Sequence, residues 1–299
     1  FISGSSKPEI AIQSLQYLVG RVSLIEMQPL SFKEFVSFKS PEKKILLEKK
    51  RTMNDLSQLQ SEFQEFLLFG GYPDVVKEPN FEEKKKILQD ILQVYLLKEI
   101  KDIMGYKNSH EFEKLLKTIA TQNGRLHKHS TLSNTLGISW VKAQEYIHIL
   151  TKTELVNTVQ PFYTNKSKEL IKTPKVYFND IGLLNALLNN FSPLQERIDK
   201  GELLETFISQ ELSKRGYKAK FWSRQLSEVD FILEKDAKLI AIECKSHTAK
   251  LPLSLKTFMQ EYTVSKAIVF NLKEDKVHTQ IQTPTESTHY CNVSSILFF

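Results

Sequence analysis

Cysteine is almost absent from this chain of 299 residues, which has only Cys244 and Cys291. Two cysteines exclude a disulfide framework and any zinc site built on paired cysteines, and leave a reducing, cytoplasmic setting as the default. No apolar run approaches the ~18 residues needed to cross a bilayer, so no membrane partner is expected. Repeats and low-complexity stretches are missing too. So is any G-x-x-x-x-G-K-[ST] loop, whose backbone amides and lysine cradle nucleotide phosphates. The chain by itself is therefore expected to bind ATP poorly or not at all.

What is present is enough chain for two or three compact units with a sizeable core. The formal net charge of +6 is modest, and its distribution matters more. Residues 123–175 hold eight Lys and Arg against three Glu, so most of the surplus lies in one segment. Residues 41–69 and 81–103 read as charged amphipathic helices, the second with an apolar stripe at 87, 88, 91, 92, 95 and 96. Gly70-Gly71-Tyr72-Pro73 reads as a structural turn between them. Lys84, Lys85 and Lys86 read most simply as a solvated face. His127 and His129 flank Lys128 with no third ligand nearby, which favours surface histidines over a metal site.

The most informative stretch is residues 227–246. Two apolar runs, broken by charge at 234–236, predict a β-hairpin with Asp230 early on the first strand. Glu243 and Lys245 are two apart on the second strand and so share a face, while Cys244 points to the opposite face and into the sheet. Upstream, residues 201–212 carry a helical apolar stripe with Glu205 at its margin. Carboxylates from Glu205, Asp230 and Glu243 can bind Mg²⁺ or Mn²⁺, and the Lys245 ammonium can orient a water or stabilise phosphorane charge. The ordinary alternative is a hairpin whose alternate residues face water.

On these residues the chain resembles a family. Lys175-Val-Tyr-Phe-Asn-Asp-Ile-Gly-Leu-Leu184, Leu-Leu-Glu205, Glu-Val-Asp230-Phe-Ile and Ile-Glu243-Cys-Lys245 look like the C-terminal domain of unknown function in prokaryotic AAA-family ATP-binding proteins. That domain is similar to the PD-(D/E)XK, restriction-endonuclease-like fold. Upstream, Phe1-Ile-Ser-Gly-Ser5-Ser6, Leu18-Val-Gly20-Arg21, Gln28-Pro-Leu-Ser-Phe-Lys-Glu-Phe35 and Phe69-Gly-Gly-Tyr-Pro73 resemble the end of the ATPase core and its junction. The resemblance implies an N-terminally truncated chain of α/β and α+β class with several domains. These are the end of the AAA ATPase core from its sensor strand (1–40), a helical lid or linker (41–105), a winged helix (106–178) and a nuclease-like mixed sheet (179–299). ATP would bind only with the missing N-terminal half, and a homo-oligomer would form through the ATPase core.

The same resemblance gives Ser5 and Arg21 nucleotide-sensing roles. Ser5 is placed to polarise a water or phosphate, or else to cap the following helix. Arg21 is a candidate arginine finger, with a structural ion pair near a helix C-terminus as the equal alternative. In the winged-helix segment, a helix over 112–119 and a helix, turn and helix over 130–150 precede two strands joined by a basic turn. Ser139 is placed to cap the second helix of that motif. Trp140, Lys142, Gln144 and Glu145 are expected to face outward, with Lys166 and Lys168 on the wing, as candidates for DNA contact. Docking as a protein spacer is the alternative. Three functions stay open: the C-terminal part of an AAA-family ATPase coupled to a nuclease-like domain, an active Mg-dependent DNA endonuclease, or a binding module that keeps the nuclease fold without catalysis.

Overall fold

A computed structural model of the chain describes residues 27–47, 59–95, 109–163, 173–245, 252–273, 276–283 and 286–292. Ser5, Arg21, Lys166 and Lys168 lie outside the described residues. The fold is mixed α/β, of α+β type: a helical first part leads into a mixed sheet with helices on both faces.

Helix α1 (Phe32–Lys39) starts at a capping box, in which Ser31 Oγ accepts from the Glu34 amide while the Glu34 carboxylate takes the Ser31 amide. A 3-10 helix (Pro41–Leu47) follows. Helices α2 (Gln60–Phe69), α3 (Pro73–Lys77) and α4 (Phe81–Tyr95) come next. The turn expected at 70–73 is present, but Pro73 also opens the short α3, at a position where its missing amide costs nothing.

Lys84 corrects the solvated-face reading. Only 1% exposed, it donates to the Val75 carbonyl and pairs with Glu65 at 3.3 Å, so the buried ammonium is satisfied. Lys85 and Lys86 make the surface pairs expected of such a face, with Glu82 and Glu83.

Helices α5 (Ser109–Thr121), α6 (His129–Leu136) and α7 (Trp140–Lys152) form the three-helix unit read from the sequence. Gly137 ends α6 in the left-handed region at φ 67°, and Ser139 Oγ accepts the Lys142 amide at 3.2 Å to start α7. Strands β1 (Val156–Pro161) and β2 (Lys175–Phe178) then pair antiparallel, Val159 opposite Lys175.

Helix α8 (Ile181–Leu188) returns to the helical part, where Leu183 and Leu184 share a core with Phe112, Tyr146 and Leu88. Its N-cap, Asp180, is a buried hub. The Asp180 carboxylate takes the amides of Gly71 and Leu183, at 2.8 and 3.0 Å. Glycine is required around it, because a Cβ on Gly70 would stand 2.2 Å from Asp180 Oδ1 and one on Gly182 would stand 2.2 Å from the Phe69 carbonyl.

The sheet continues with β3 (Lys220–Arg224), β4 (Ser227–Lys235), β5 (Lys238–Lys245), β6 (Val264–Lys273), β7 (Lys276–Thr283) and β8 (Glu286–Asn292), in the spatial order β2-β1-β3-β4-β5-β6-β7-β8. Neighbours are antiparallel except β1 with β3 and β5 with β6. The parallel β5–β6 pair needs a crossover, and α10 (Leu253–Glu261) supplies it. On the opposite face lies α9 (Lys200–Lys214), fixed by Phe207, which meets Phe63 edge-on at 5.1 Å and Phe66 at 5.8 Å. Each such aromatic pair adds roughly 0.5–1.5 kcal/mol beyond area burial. This clamp sets the position of Glu205.

Candidate active site

The predicted hairpin is β4 and β5, joined at Asp236 and Ala237, both with positive φ (51° and 59°), the backbone that a tight two-residue hairpin turn demands. Glu234 and Lys235, read as part of the break, belong to the first strand. One irregularity decides the chemistry. Lys220 pairs with Ile232 but Trp222 pairs with Val229, so two steps along β3 match three along β4. The extra residue is a bulge between Val229 and Ile232. It explains why Val229 and Ile232 enter one core with Phe258, while Phe231 and Leu233 enter the other with Phe207. Bulges of this kind re-aim a side chain.

Asp230 sits in that bulge. Its carboxylate, 5% exposed, takes the Cys244 amide at 2.7 Å, so the link from β4 to β5 at this level runs from side chain to backbone. Glu243 and Lys245 share a face as predicted: Lys245 Nζ lies 2.5 Å from Glu243 Oε1, and Ser254 Oγ at the start of α10 donates to the same oxygen at 3.0 Å. Glu243 Oε2 is buried and has no hydrogen-bond partner. Cys244 packs into the α9-side core, as its place in the alternation requires. Glu205, half-buried on α9, accepts from Tyr177 Oη at 3.1 Å.

Burial and mutual repulsion govern the charges here. Burial raises the Asp230 pKa above the usual carboxylate range, against the pull of Lys175, the Cys244 amide and Lys245. Burial first and the Asp230 charge second push Glu205 up to about 8, although Lys175 and the Tyr177 hydroxyl oppose this. The same two causes raise Glu243 to about 7, against Lys245 and Ser254. Burial, with Glu205 and Asp230 behind it, pushes the Tyr177 phenol well above its ordinary value. Burial works against the Lys245 ammonium, yet Glu243 and Asp230 hold its pKa above the usual lysine value.

The Asp230 charge thus bears on both Glu205 and Glu243. Among the described residues no group of three His, Cys, Asp or Glu forms a ready metal cage. The donor set nevertheless has the chemistry of a hard divalent-cation site: all its donors are carboxylate oxygens, ionised Asp230 repels both Glu205 and Glu243, and one buried oxygen of Glu243 lacks a hydrogen-bond partner.

Four further members were not read from the sequence as site residues. Lys175 Nζ lies 2.5 Å from Glu228 Oε1, Tyr177 reaches Glu205, and Ser254 reaches Glu243. The signal for three of them was the i, i+2 spacing of Lys175 with Tyr177 and of Glu228 with Asp230. Ser254 becomes visible only once the crossover is known.

On the three-helix unit, Trp140 is 50% exposed, and Gln144 and Glu145 are exposed. Lys142 departs from the outward reading: it is half-buried and pairs with Glu111 of α5 at 2.8 Å, beside the Tyr146 hydroxyl on the same carboxylate at 3.2 Å. His127 also corrects the sequence reading. It is buried, with Nε2 at 3.0 Å from the Gln122 carbonyl, because the turn after α5 folds it under the unit. His129 is half-buried and meets the Trp140 ring edge-on at 5.6 Å.

Comparison with known proteins finds two matching families. Residues 60–194 match a family described as Domain of unknown function (DUF8612), and residues 200–290 match one described as Domain of unknown function (DUF4143). Over 95% of its length the chain is 25% identical to an uncharacterized protein of Methanocaldococcus jannaschii, covering 62% of that relative. It is 27% identical to an uncharacterized protein of Haemophilus influenzae, over 81% of this chain and 58% of the relative. A third, from Mycobacterium tuberculosis, is 21% identical over 90% of the chain and 57% of its own length. The chain therefore spans about three fifths of the length of the curated relatives it matches. No solved structure matches it significantly. The segment that carries Glu205, Asp230, Glu243 and Lys245 is the one similar to the DUF4143 family.

Proposed function

We propose that the chain is the C-terminal part of an AAA-family ATP-binding protein, in which a winged-helix unit couples a nucleotide-driven core to a nuclease-like, DNA-associated domain with a Mg²⁺ or Mn²⁺ site. The observation that carries this reading is the Glu243–Lys245 pair, 2.5 Å apart on β5 of a mixed sheet, beside the bulge that holds Asp230 and its bond to the Cys244 amide. Glu205, Asp230 and Glu243 would hold the ion, which when bound supplies Lewis-acid activation of a water and of the scissile phosphate. Lys245 places a positive charge beside Glu243, where negative charge develops on the phosphate. Ser254 keeps Glu243 oriented. DNA as partner rests on the basic segment and on the exposed Trp140 and Gln144, and a homo-oligomer through the ATPase core belongs to the same proposal.

The test is phosphodiester cleavage of single- and double-stranded DNA and of RNA with Mg²⁺ or Mn²⁺. Cleavage is expected to need the metal and to vanish in Asp230→Ala and Lys245→Ala alike; cleavage surviving both substitutions contradicts the assignment. A second reading, a binding module without catalysis, draws on the same contacts. Asp230 is engaged by the Cys244 amide and Glu243 by Lys245, leaving no ready cage among the described residues. Metal-dependent stabilisation without cleavage on any substrate would select it.

A further inference from the structure

We propose that Lys175 is a built-in counter-cation of the carboxylate cluster, inserted by β2, and that a divalent ion occupies the cluster only in competition with it. This rests on the cation-site reading above. Lys175 is buried, its Nζ lies 2.5 Å from Glu228 Oε1, and the charges of Asp230 and Glu205 also act on it. Tyr177, on the same face of β2, donates to Glu205, so one strand delivers both an ammonium and a hydroxyl to the acidic group.

The strand is held firmly. Val159 pairs with Lys175 on one edge, Leu126 bridges to it on the other, and the Gly124 amide donates to the Val176 carbonyl at 2.7 Å. The ammonium also lies over the Phe221 ring, 5.4 Å from its centroid. Lys245 is the other ammonium at the site, but the two differ in freedom. The Lys245 side chain is 39% exposed and can swing into water when a cation arrives, whereas that of Lys175 is 5% exposed and has nowhere to go without movement of β2. Like charges brought together in a poorly solvated site repel strongly, so Lys175 sets the cation affinity.

The counter-cation and the carboxylates come from different segments. Lys175 and Tyr177 lie within residues 60–194, whereas Glu205, Glu228, Asp230 and Glu243 lie within residues 200–290. Displacement of β2, which is continuous with the winged-helix unit, would therefore change cation occupancy directly. This is a physical route by which events at that unit reach the site.

The test uses the chain as it stands: thermal unfolding without metal, and Mn²⁺ titration by calorimetry, for wild type, Lys175→Gln, Lys175→Arg, Asp230→Asn and the double variant Lys175→Gln with Asp230→Asn. Lys175→Gln is expected to lower metal-free stability, and Asp230→Asn on top of it to recover part of the loss. Should Lys175→Gln not fold alone, recovery of a folded double variant is the same result at its extreme. Mn²⁺ affinity is expected to rise about tenfold in Lys175→Gln, the effect of removing one nearby like charge, and to stay at the wild-type level in Lys175→Arg. Additive losses in the two single variants overturn the counter-cation role. Mn²⁺ binding that is unchanged or weaker in Lys175→Gln overturns the competition. If neither wild type nor Lys175→Gln takes up Mn²⁺, the cation-site reading and the competition fall together, and non-additive stability alone then upholds Lys175 as the counter-cation.

Discussion

The Gly71 amide donates to Asp180 Oδ2 at 2.8 Å, across a separation of 109 residues. Two motifs met separately in the sequence, Phe69-Gly-Gly-Tyr-Pro73 and Asn179-Asp-Ile-Gly182, are thereby halves of one lock. Asp180 caps α8, Gly70 and Gly182 make room for its carboxylate and for the Phe69 carbonyl, and Asn185 donates to the Leu67 carbonyl at 2.9 Å to close the joint. Burial raises the Asp180 pKa, yet its amide donors and Lys214 hold against that rise.

Side-chain addition at this joint is expected to be costly. A Cβ on Gly71 would stand 2.2 Å from the Leu30 carbonyl, which is backbone and cannot step aside. Gly71→Ala should therefore destabilise the fold by about 3 kcal/mol or more. Gly201→Ala is the matched control, since nothing lies within 4 Å of its added Cβ and it sits in α9. It should stabilise by roughly 0.5–1 kcal/mol. Urea unfolding of the two variants measures both, and equal effects would contradict the lock.

His127 gives a pH-dependent term that is separate from any catalysis. Burial lowers its pKa, against the hydrogen bond to Gln122, so the folded state keeps the ring neutral below the pH at which the unfolded chain protonates it. The unfolded state then binds more protons. Stability is thus fully present above the unfolded value of about 6.5 and is lost as pH falls from there through the folded value. In unfolding experiments from pH 8 to pH 5, wild type should lose more stability than His127→Gln. Parallel pH profiles would show that the buried ring does not titrate.

If the three-helix unit with β1 and β2 acts as the proposed winged helix, substitutions have unequal effects on DNA affinity. Trp140→Ala and Gln144→Ala remove exposed groups of α7 and should weaken binding. Lys142→Ala should matter less, because its ammonium already pairs with Glu111 at 2.8 Å. Replacing Lys166 and Lys168 by Ala should weaken binding on all sequences alike, and reduce the slope of log K against log[salt] by about one for each phosphate no longer neutralised. Filter-binding or anisotropy titrations at several salt concentrations decide this. Unchanged affinity in every variant would assign the unit to protein docking.

Much of this was legible before the structure because it depends on local patterns. The hairpin at Asp236 and Ala237, the Ser139 cap, Gly137 at the end of α6, and the shared face of Glu243 and Lys245 all follow from spacing and residue type within a few positions. What the sequence hid depends on distant partners. Lys84 looks like one lysine among three until Val75 and Glu65 are seen to enclose it. His127 looks like a surface residue until the turn after α5 buries it. The Asp230 bulge depends on its register with β3, which no pattern within β4 specifies. Lys175 belongs to the site only because β1 and β2 carry it there.

The most direct measurement of the central claim is thermal unfolding of wild type and Asp230→Asn with increasing Mn²⁺, beside calorimetric titration of both. The proposed site, in which the Asp230 charge bears on Glu205 and Glu243, should draw saturable binding in wild type. At about 100 times the dissociation constant that binding adds ~2.7 kcal/mol, a rise in Tm of about 5 °C. Asp230→Asn should remove the rise while leaving the metal-free protein folded. An equal rise in both proteins, or none in wild type, would contradict a divalent-cation site centred on Asp230.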